Sequence, residues 1–401
     1  MPEGSASGWP ADSPETRRVL LVLLLTCALP PLIWAGKLLT TQEVLFPDFF
    51  GLWTFGRFVL THPPTAIYDD HALKAFQESF GMPGESHYPF PYPPWLLLLL
   101  VPVGALPYAV ARIGWLVLTF AAYAAALSAW RWQRRLIWLL LLAPSSSVCF
   151  LVGQNGFLSA ALMLGGLRLL WTRPLLAGAL LAAVAYKPQL AVLVPFALLF
   201  GGHWRAIAGA ILAVIALSAA ATVAFGVDMW AGWLANMSQQ ALALTEGRDA
   251  LRDMMPTVTS AVELLGGSAT LAHLAQAAAA AAGLLALWQV RARRDARALA
   301  VLPLATVLAT PYAFDYDLPM VTGAVLAVMV ARMAAAGRFG AAEFPVYLAC
   351  IAAPALLPAR LGLAAVLVPV VLAPALWIVV RGGGTAASRV PNSPIQERVA
   401  S

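Results

Sequence analysis

An all-α polytopic membrane fold is what this chain predicts, and three observations carry it. Hydrophobic residues make up 61% of its 401 residues and charged residues only 11%, where a soluble domain has about half and about a quarter. Mean hydropathy is +0.79. Apolar runs recur from Val19 almost to the C-terminal end, several of them near the ~20 residues that cross a hydrocarbon core of ~30 Å. The net charge of +6 would suggest nucleic acid in a soluble chain. Here the Arg residues fall in short clusters between apolar runs, where they act as topology signals, so no nucleic-acid partner is expected. Cys27, Cys149 and Cys350 each sit inside an apolar run, which argues against a disulfide and against a metal centre.

Arg17 and Arg18 precede the first run, Val19 to about Leu39. It is long enough to span and lacks a small-residue cleavage site, so it reads as an uncleaved helix rather than a signal peptide. Residues 1–18 and 382–401 are expected to be disordered cytoplasmic ends around a single membrane domain, 19–381. Further apolar segments fall near 93–107, 108–130, 136–152, 157–171, 174–186, 188–201, 205–225, 271–290, 298–310, 318–335, 343–359 and 361–380. Several are shorter than a full crossing needs, which predicts about 11 to 13 transmembrane or re-entrant helices.

Cytoplasmic loops carry the excess of Lys and Arg. Placing Arg17/Arg18, Arg131/Arg134/Arg135, Arg173, Arg205, Arg291/Arg293/Arg294/Arg297, Arg338 and Arg381 inside leaves 40–92, 153–156, 187–189, 226–256 and 311–317 outside. The polar motifs then share one face. One conflict arises: if 93–107 and 108–130 both cross, Arg131 to Arg135 land outside, so either the segment after Pro93 does not span or the rule is broken there. The 40–92 connection is too long to lack structure. Phe49, Leu52, Trp53, Phe58 and Val59 recur at helical spacing, as do Ala72, Leu73, Phe76 and Phe80, which predicts two amphipathic helices on the membrane surface.

Five motifs carry chemistry. Asp48 follows Pro47 and precedes Phe49-Phe50; it reads as a helix N-cap, and equally as a carboxylate whose partial desolvation raises its basicity enough for a general base. His87 to Trp95 holds four prolines, with Tyr88, Tyr92 and Trp95 as interface anchors or as a rigid aromatic wall for a sugar ring, and His87 within reach of phosphate. Gly153-Gln154-Asn155-Gly156 is a turn, yet Gln154 is a costly choice at membrane depth unless the amides orient hydroxyls. Lys187, with Pro188 and Gln189, interrupts an apolar stretch at a cost of at least ~2.5 kcal/mol at mid-span; it snorkels, or a break lets its ammonium face a cavity and a carrier phosphate. Pro311 to Asp317 places Asp315, Tyr316 and Asp317 at a membrane boundary, as solvated loop, as cap of the next helix, or as contacts to substrate hydroxyls. Two carboxylates make a weak metal site, and no metal is expected.

Together the motifs resemble glycosyltransferase family 87 of the GT-C superfamily: Asp48-Phe49 after the first span, Tyr92-Pro93-Pro94 before a leucine run, Gly153 to Gly156, Lys187-Pro188-Gln189, and Pro311 through Asp317. The mannosyltransferases of that family tend to carry His where this chain has Tyr316 or Asp317, a difference that bears on the donor sugar. The resemblance implies a GT-C-like bundle in the plasma (inner) membrane. It also implies transfer of a mannose or another hexose or pentose from a polyprenyl-phosphate donor to a lipid or glycan acceptor on the extracytoplasmic face, with no other cofactor. Asp48 is then the base, Lys187 with Arg57 and His87 hold donor phosphate, and Tyr88, Tyr92, Gln154, Asn155, Gln189, Asp315, Tyr316 and Asp317 contact sugar or acceptor. The rival reading is a multispan transporter or lipid flippase, since broken helices around an intramembrane Lys also build carrier sites.

Overall fold

The computed structural model describes residues 14, 17–26, 28, 47–83, 87–128, 139–246, 251–359 and 362–382. Most of the expected disordered ends, most of the first apolar run and the Arg131/Arg134/Arg135 cluster lie outside them, while Arg17 and Arg18, expected in the N-terminal disordered end, are helical. Residues 17–26 are helical, with Val19 and Leu23 buried. Every regular element among the described residues is a helix, and the chain is a polytopic membrane protein.

The two helices expected in the first long connection are present. α1, Phe49–Val59, differs from expectation in its surroundings: Phe49 to Gly56 and Phe58 are all buried, so it is a core helix rather than one lying on a membrane surface. The cause lies in its small residues, since Tyr88 packs on Gly51 and the Leu100 carbonyl on Gly56, closing the face that a helical plot leaves polar. α2, Asp70–Glu78, is amphipathic; Asp69 caps it through His71 N–H and Ala72 N–H, and Leu73 and Gln77 turn inward.

The stretch after Pro93 forms a 3-10 turn, Pro94–Leu96, and α3, Leu97–Ala105. At 1.5 Å per residue these 12 residues reach about 18 Å, short of a crossing. Both flanks stay on one side: the Tyr92 hydroxyl meets Asn155, and Tyr108, the first residue of α4, Tyr108–Ser128, lies 5.6 Å from the Phe49 ring. Of the two alternatives, the one in which this segment does not span is the one the backbone follows.

α5, Pro144–Val152, and α6, Gly156–Leu169, flank the Gly-Gln-Asn-Gly turn. α7, Pro174–Ala183, a 3-10 turn at Val184–Tyr186, α8, Pro188–Ala191, and α9, Val194–Phe200, form one apolar stretch interrupted at Lys187. α10, Trp204–Phe225, packs on α7 and exposes Ile211, Leu212, Ile215 and Val223, the surface expected against lipid tails. Residues 226–256, read from sequence as a connection, contain α11, Asp228–Glu246. It packs over the first loop, with Trp230 against Trp95 and Asn236 Nδ2 donating to the Phe90 carbonyl at 2.9 Å.

α12, Val258–Leu264, leads into α13, Ala269–Val290, and α14, Ala296–Ala309, buried at almost every position. A 3-10 turn at Asp315–Asp317 joins α14 to α15, Pro319–Ala336, followed by α16, Glu343–Ala352, and α17, Leu363–Arg381. α4, α10, α13 and α15 are long and apolar enough to cross a membrane. Side chains from α6, α14, α15 and α17 make one apolar core; those of α1, the 90–100 segment and α4 make a second, smaller one beside it. The polar motifs lie where the two meet.

Candidate active site

The Gly153 to Gly156 turn is the hinge of the site. α5 ends in the left-handed conformation, φ 73°, at Gly153, a region that suits glycine. A Cβ there would stand 2.5 Å from Phe49 Cβ, and a Cβ on Gly156 would stand 1.7 Å from the Tyr316 carbonyl oxygen. The two glycines thus let the turn fit between the start of α1 and the 315–317 turn. Gly156→Ala should lower the melting temperature and any transfer activity together, whereas Gly114→Ala, with nothing within 4 Å of the added methyl, should leave both unchanged; thermal melts of the purified pair check this.

Asn155 is fully buried. Its Nδ2 donates to the Tyr92 hydroxyl at 3.2 Å, its carbonyl accepts from the Tyr186 hydroxyl at 3.1 Å, and its Oδ1 has no hydrogen-bond partner. A buried acceptor without a partner is costly, and here it adjoins Gln154, which faces Asp48.

Asp48 occupies the N-cap position of α1, but its backbone is already helical (φ −54°, ψ −25°) and its side chain makes no capping bond. The half-buried carboxylate instead accepts from the Tyr88 hydroxyl at 3.4 Å and from Gln154, within the field of Lys187. Withdrawal from water pushes its pKa above the usual carboxylate range, opposed by Gln154, Tyr88 and Lys187.

Lys187 sits at the break itself, with non-helical φ −117° and ψ 88°, because Pro188 disfavours a helical residue before it. It is 4% exposed, and Asp317 1%. Its Nζ reaches Asp317 Oδ1 at 2.5 Å and lies 4.6 Å from the centre of the Tyr316 ring. Asp317 Oδ2 accepts from Phe314 N–H at 3.1 Å, so this carboxylate closes its own turn backward rather than capping α15. Asp315 accepts from Tyr316 N–H at 2.8 Å; burial, reinforced by the charges of Asp48 and Asp317 and opposed by that hydrogen bond, pushes its pKa up to about 7.

Asp48, Tyr88, Tyr92, Gln154, Asn155, Lys187, Asp315, Tyr316 and Asp317 therefore come together from five separated stretches. Three residues proposed from sequence do not join them. Arg57 lies about 14 Å along α1 from Asp48 at 1.5 Å per residue, where it donates to the Gly104 carbonyl at 3.4 Å and lies 6.0 Å from the Trp53 ring. His87 is exposed, Gln189 is half-buried beyond the break, and both stay outside the hydrogen-bonded set. Sequence reasoning missed Tyr186, whose hydroxyl joins Ser159 at 2.6 Å and the Asn155 carbonyl; Tyr312, whose ring meets Phe314 at 5.1 Å; and Gln77. An amide one turn after Leu73 on the apolar face of α2 was the available signal for Gln77. Among the described residues no three His, Cys, Asp or Glu side chains are grouped to hold a metal ion.

Fold and cluster define a class: a polytopic membrane protein whose polar site is built where its helices break. Within that class the chain belongs to glycosyltransferase family 87, whose family model matches residues 90–313, more than half of the chain, so it is a membrane glycosyltransferase. The match holds Tyr92, Gln154, Asn155, Lys187 and Gln189, while Asp48, Tyr88 and Asp315 to Asp317 flank it. No curated protein and no solved structure matches the chain.

Proposed function

We propose that the chain moves a sugar, mannose or another hexose or pentose, from a polyprenyl-phosphate donor to a lipid or glycan acceptor on the extracytoplasmic face of the plasma (inner) membrane. The observation that carries this reading is the Asp48 carboxylate, free of any capping bond, half-buried, and facing the same cluster as Lys187. Asp48 takes the acceptor hydroxyl proton as that oxygen attacks the anomeric carbon. The bond from that carbon to the phosphate oxygen breaks with its electrons going to phosphate, and polyprenyl phosphate leaves from the opposite face, so the anomeric configuration inverts. An ammonium has three donors; one engages Asp317, which leaves two of Lys187 for the departing phosphate. Tyr88, Tyr92, Gln154, Asn155, Asp315 and Tyr316, gathered around Asp48 and Lys187, are assigned to sugar and acceptor.

Sidedness is supported by the helix directions. α14 runs from Arg297 to the 310–317 turn, and α15 runs back toward Arg332 and Arg338. Arg297 and Arg332 meet Glu343 at 3.0 and 2.8 Å, and Arg293 donates to the Val380 carbonyl. The Arg-rich end is thus opposite the cluster, which under the positive-inside rule supports an outward-facing cluster.

The test is to give purified protein a polyprenyl-phosphate sugar labelled in the sugar, with lipid acceptors. Transfer of label and release of polyprenyl phosphate are expected. A carrier would move the donor across a vesicle membrane with its glycosyl-phosphate bond intact, and transfer from a nucleotide sugar alone would remove the polyprenyl donor from this reading.

A further inference from the structure

Behind the contact between Tyr88 and Asp48 lies a buried amide that touches neither the carboxylate nor the phenol hydroxyl. Gln77 projects from α2 into the second apolar core and is 0% exposed. Its Oε1 accepts from Tyr88 N–H at 2.8 Å, and its Nε2 donates to the Tyr88 carbonyl at 2.9 Å and to Thr54 Oγ1 at 3.2 Å. Thr54 in turn donates to the Gly51 carbonyl at 3.0 Å, in the first turn of the helix that Asp48 begins. One carboxamide therefore satisfies both backbone groups of Tyr88, as a neighbouring strand would, and ties them to the Asp48 helix. On the other side, Tyr88 Cγ lies 2.8 Å from where a Cβ on Gly51 would stand, so the ring lies flush on the α1 backbone, with its hydroxyl 3.4 Å from Asp48 Oδ1.

We infer that Gln77 is a positioning residue for the transfer reaction: it fixes the Tyr88 backbone so that the phenol donates to the Asp48 carboxylate. This rests on the reading of Asp48 as the base. A hydroxyl that donates to the ionised carboxylate favours that form, so Tyr88 keeps Asp48 ionised at lower pH than burial alone would allow. The other titratable groups that sense Asp48 are Lys187 at the helix break, Asp315 and Tyr316 on the 315–317 turn, and Tyr92 on the proline-rich segment. Gln77 hydrogen-bonds to none of them.

The experiment is the pH profile of kcat/KM for labelled-sugar transfer in detergent, for wild type, Gln77→Met, Tyr88→Phe and the double variant. Both single changes should move the acidic limb to higher pH by about half a unit to one unit, the size expected for a weak hydrogen bond to a charged group. The double variant should move it no further than Tyr88→Phe. Rates are taken per amount of folded protein at each pH, so partial loss of stability does not mimic the effect. If Gln77→Met yields no folded protein, Gln77→Asn, one methylene short of Tyr88, should show the same shift. An unmoved limb, with activity lowered equally at every pH, overturns the inference and reduces Gln77 to packing; additive shifts in the double variant overturn it as well. Failure of the underlying reading looks different: Asp48→Asn would then transfer sugar as fast as wild type, and the base assignment falls together with this inference.

Discussion

Asp48→Asn will lose sugar transfer while folding as well as the wild type. General-base catalysis contributes about 10²- to 10⁴-fold, and an amide of the same shape supplies none of it, so kcat should fall by at least two orders of magnitude. Stability should move the other way. Burial raises the folded-state pKa of Asp48, which means that the folded protein favours the protonated form and loses stability as pH rises through that pKa. A neutral isostere removes this penalty, so above that pH the variant should melt at or above the wild-type temperature. The same sign governs activity: the base works only when ionised, so kcat/KM in the wild type should fall as pH drops through a limb lying above the ordinary carboxylate value near 3.8. A folded Asp48→Asn protein that transfers at the wild-type rate would falsify the assignment.

The sequence reveals the helices better than their surroundings. Phe49 to Val59 shows a helical period, yet the period cannot distinguish a helix lying on a membrane from one enclosed by protein. That difference resides in Gly51 and Gly56, which permit Tyr88 and the Leu100 carbonyl to approach, contacts made by residues tens of positions away. α11 escaped notice because Asp228, Asn236, Gln239 and Gln240 lower its hydropathy to that of a connection, although Asn236 is buried and holds the Phe90 carbonyl. The break at Lys187 was legible, since a proline after a charged residue in an apolar run constrains the backbone locally. Asp48 shows the opposite limit: residue type and place suit an N-cap, and only the Tyr88 and Gln154 side chains, distant in sequence, reveal where its carboxylate turns. Arg57, expected at the donor phosphate, fails for a geometric reason, since nine residues of helix carry it to the far end.

The partner of Lys187 was not legible, because Asp317 is 130 residues away in sequence, and their pairing makes the second large prediction. Removing one member of a buried ion pair leaves the other charge without compensation, at a cost of about 3–5 kcal/mol. Lys187→Met strands Asp317 beside Asp48 and Asp315, three carboxylates with no ammonium among them, and should lower the melting temperature sharply. Asp317→Asn is expected to cost less, because Lys187 keeps the Asp48 charge in its field and the amide oxygen can still accept from Phe314 N–H. The double variant, Lys187→Met with Asp317→Asn, should regain most of the stability lost by the first change, since neither charge then remains buried. It should not regain transfer, because the departing phosphate still lacks an ammonium. Thermal melts and transfer assays on the four proteins separate the two roles. Equal instability of the double variant and Lys187→Met would show that the pair is not what holds the break in place, and wild-type transfer by the double variant would take Lys187 out of the reaction.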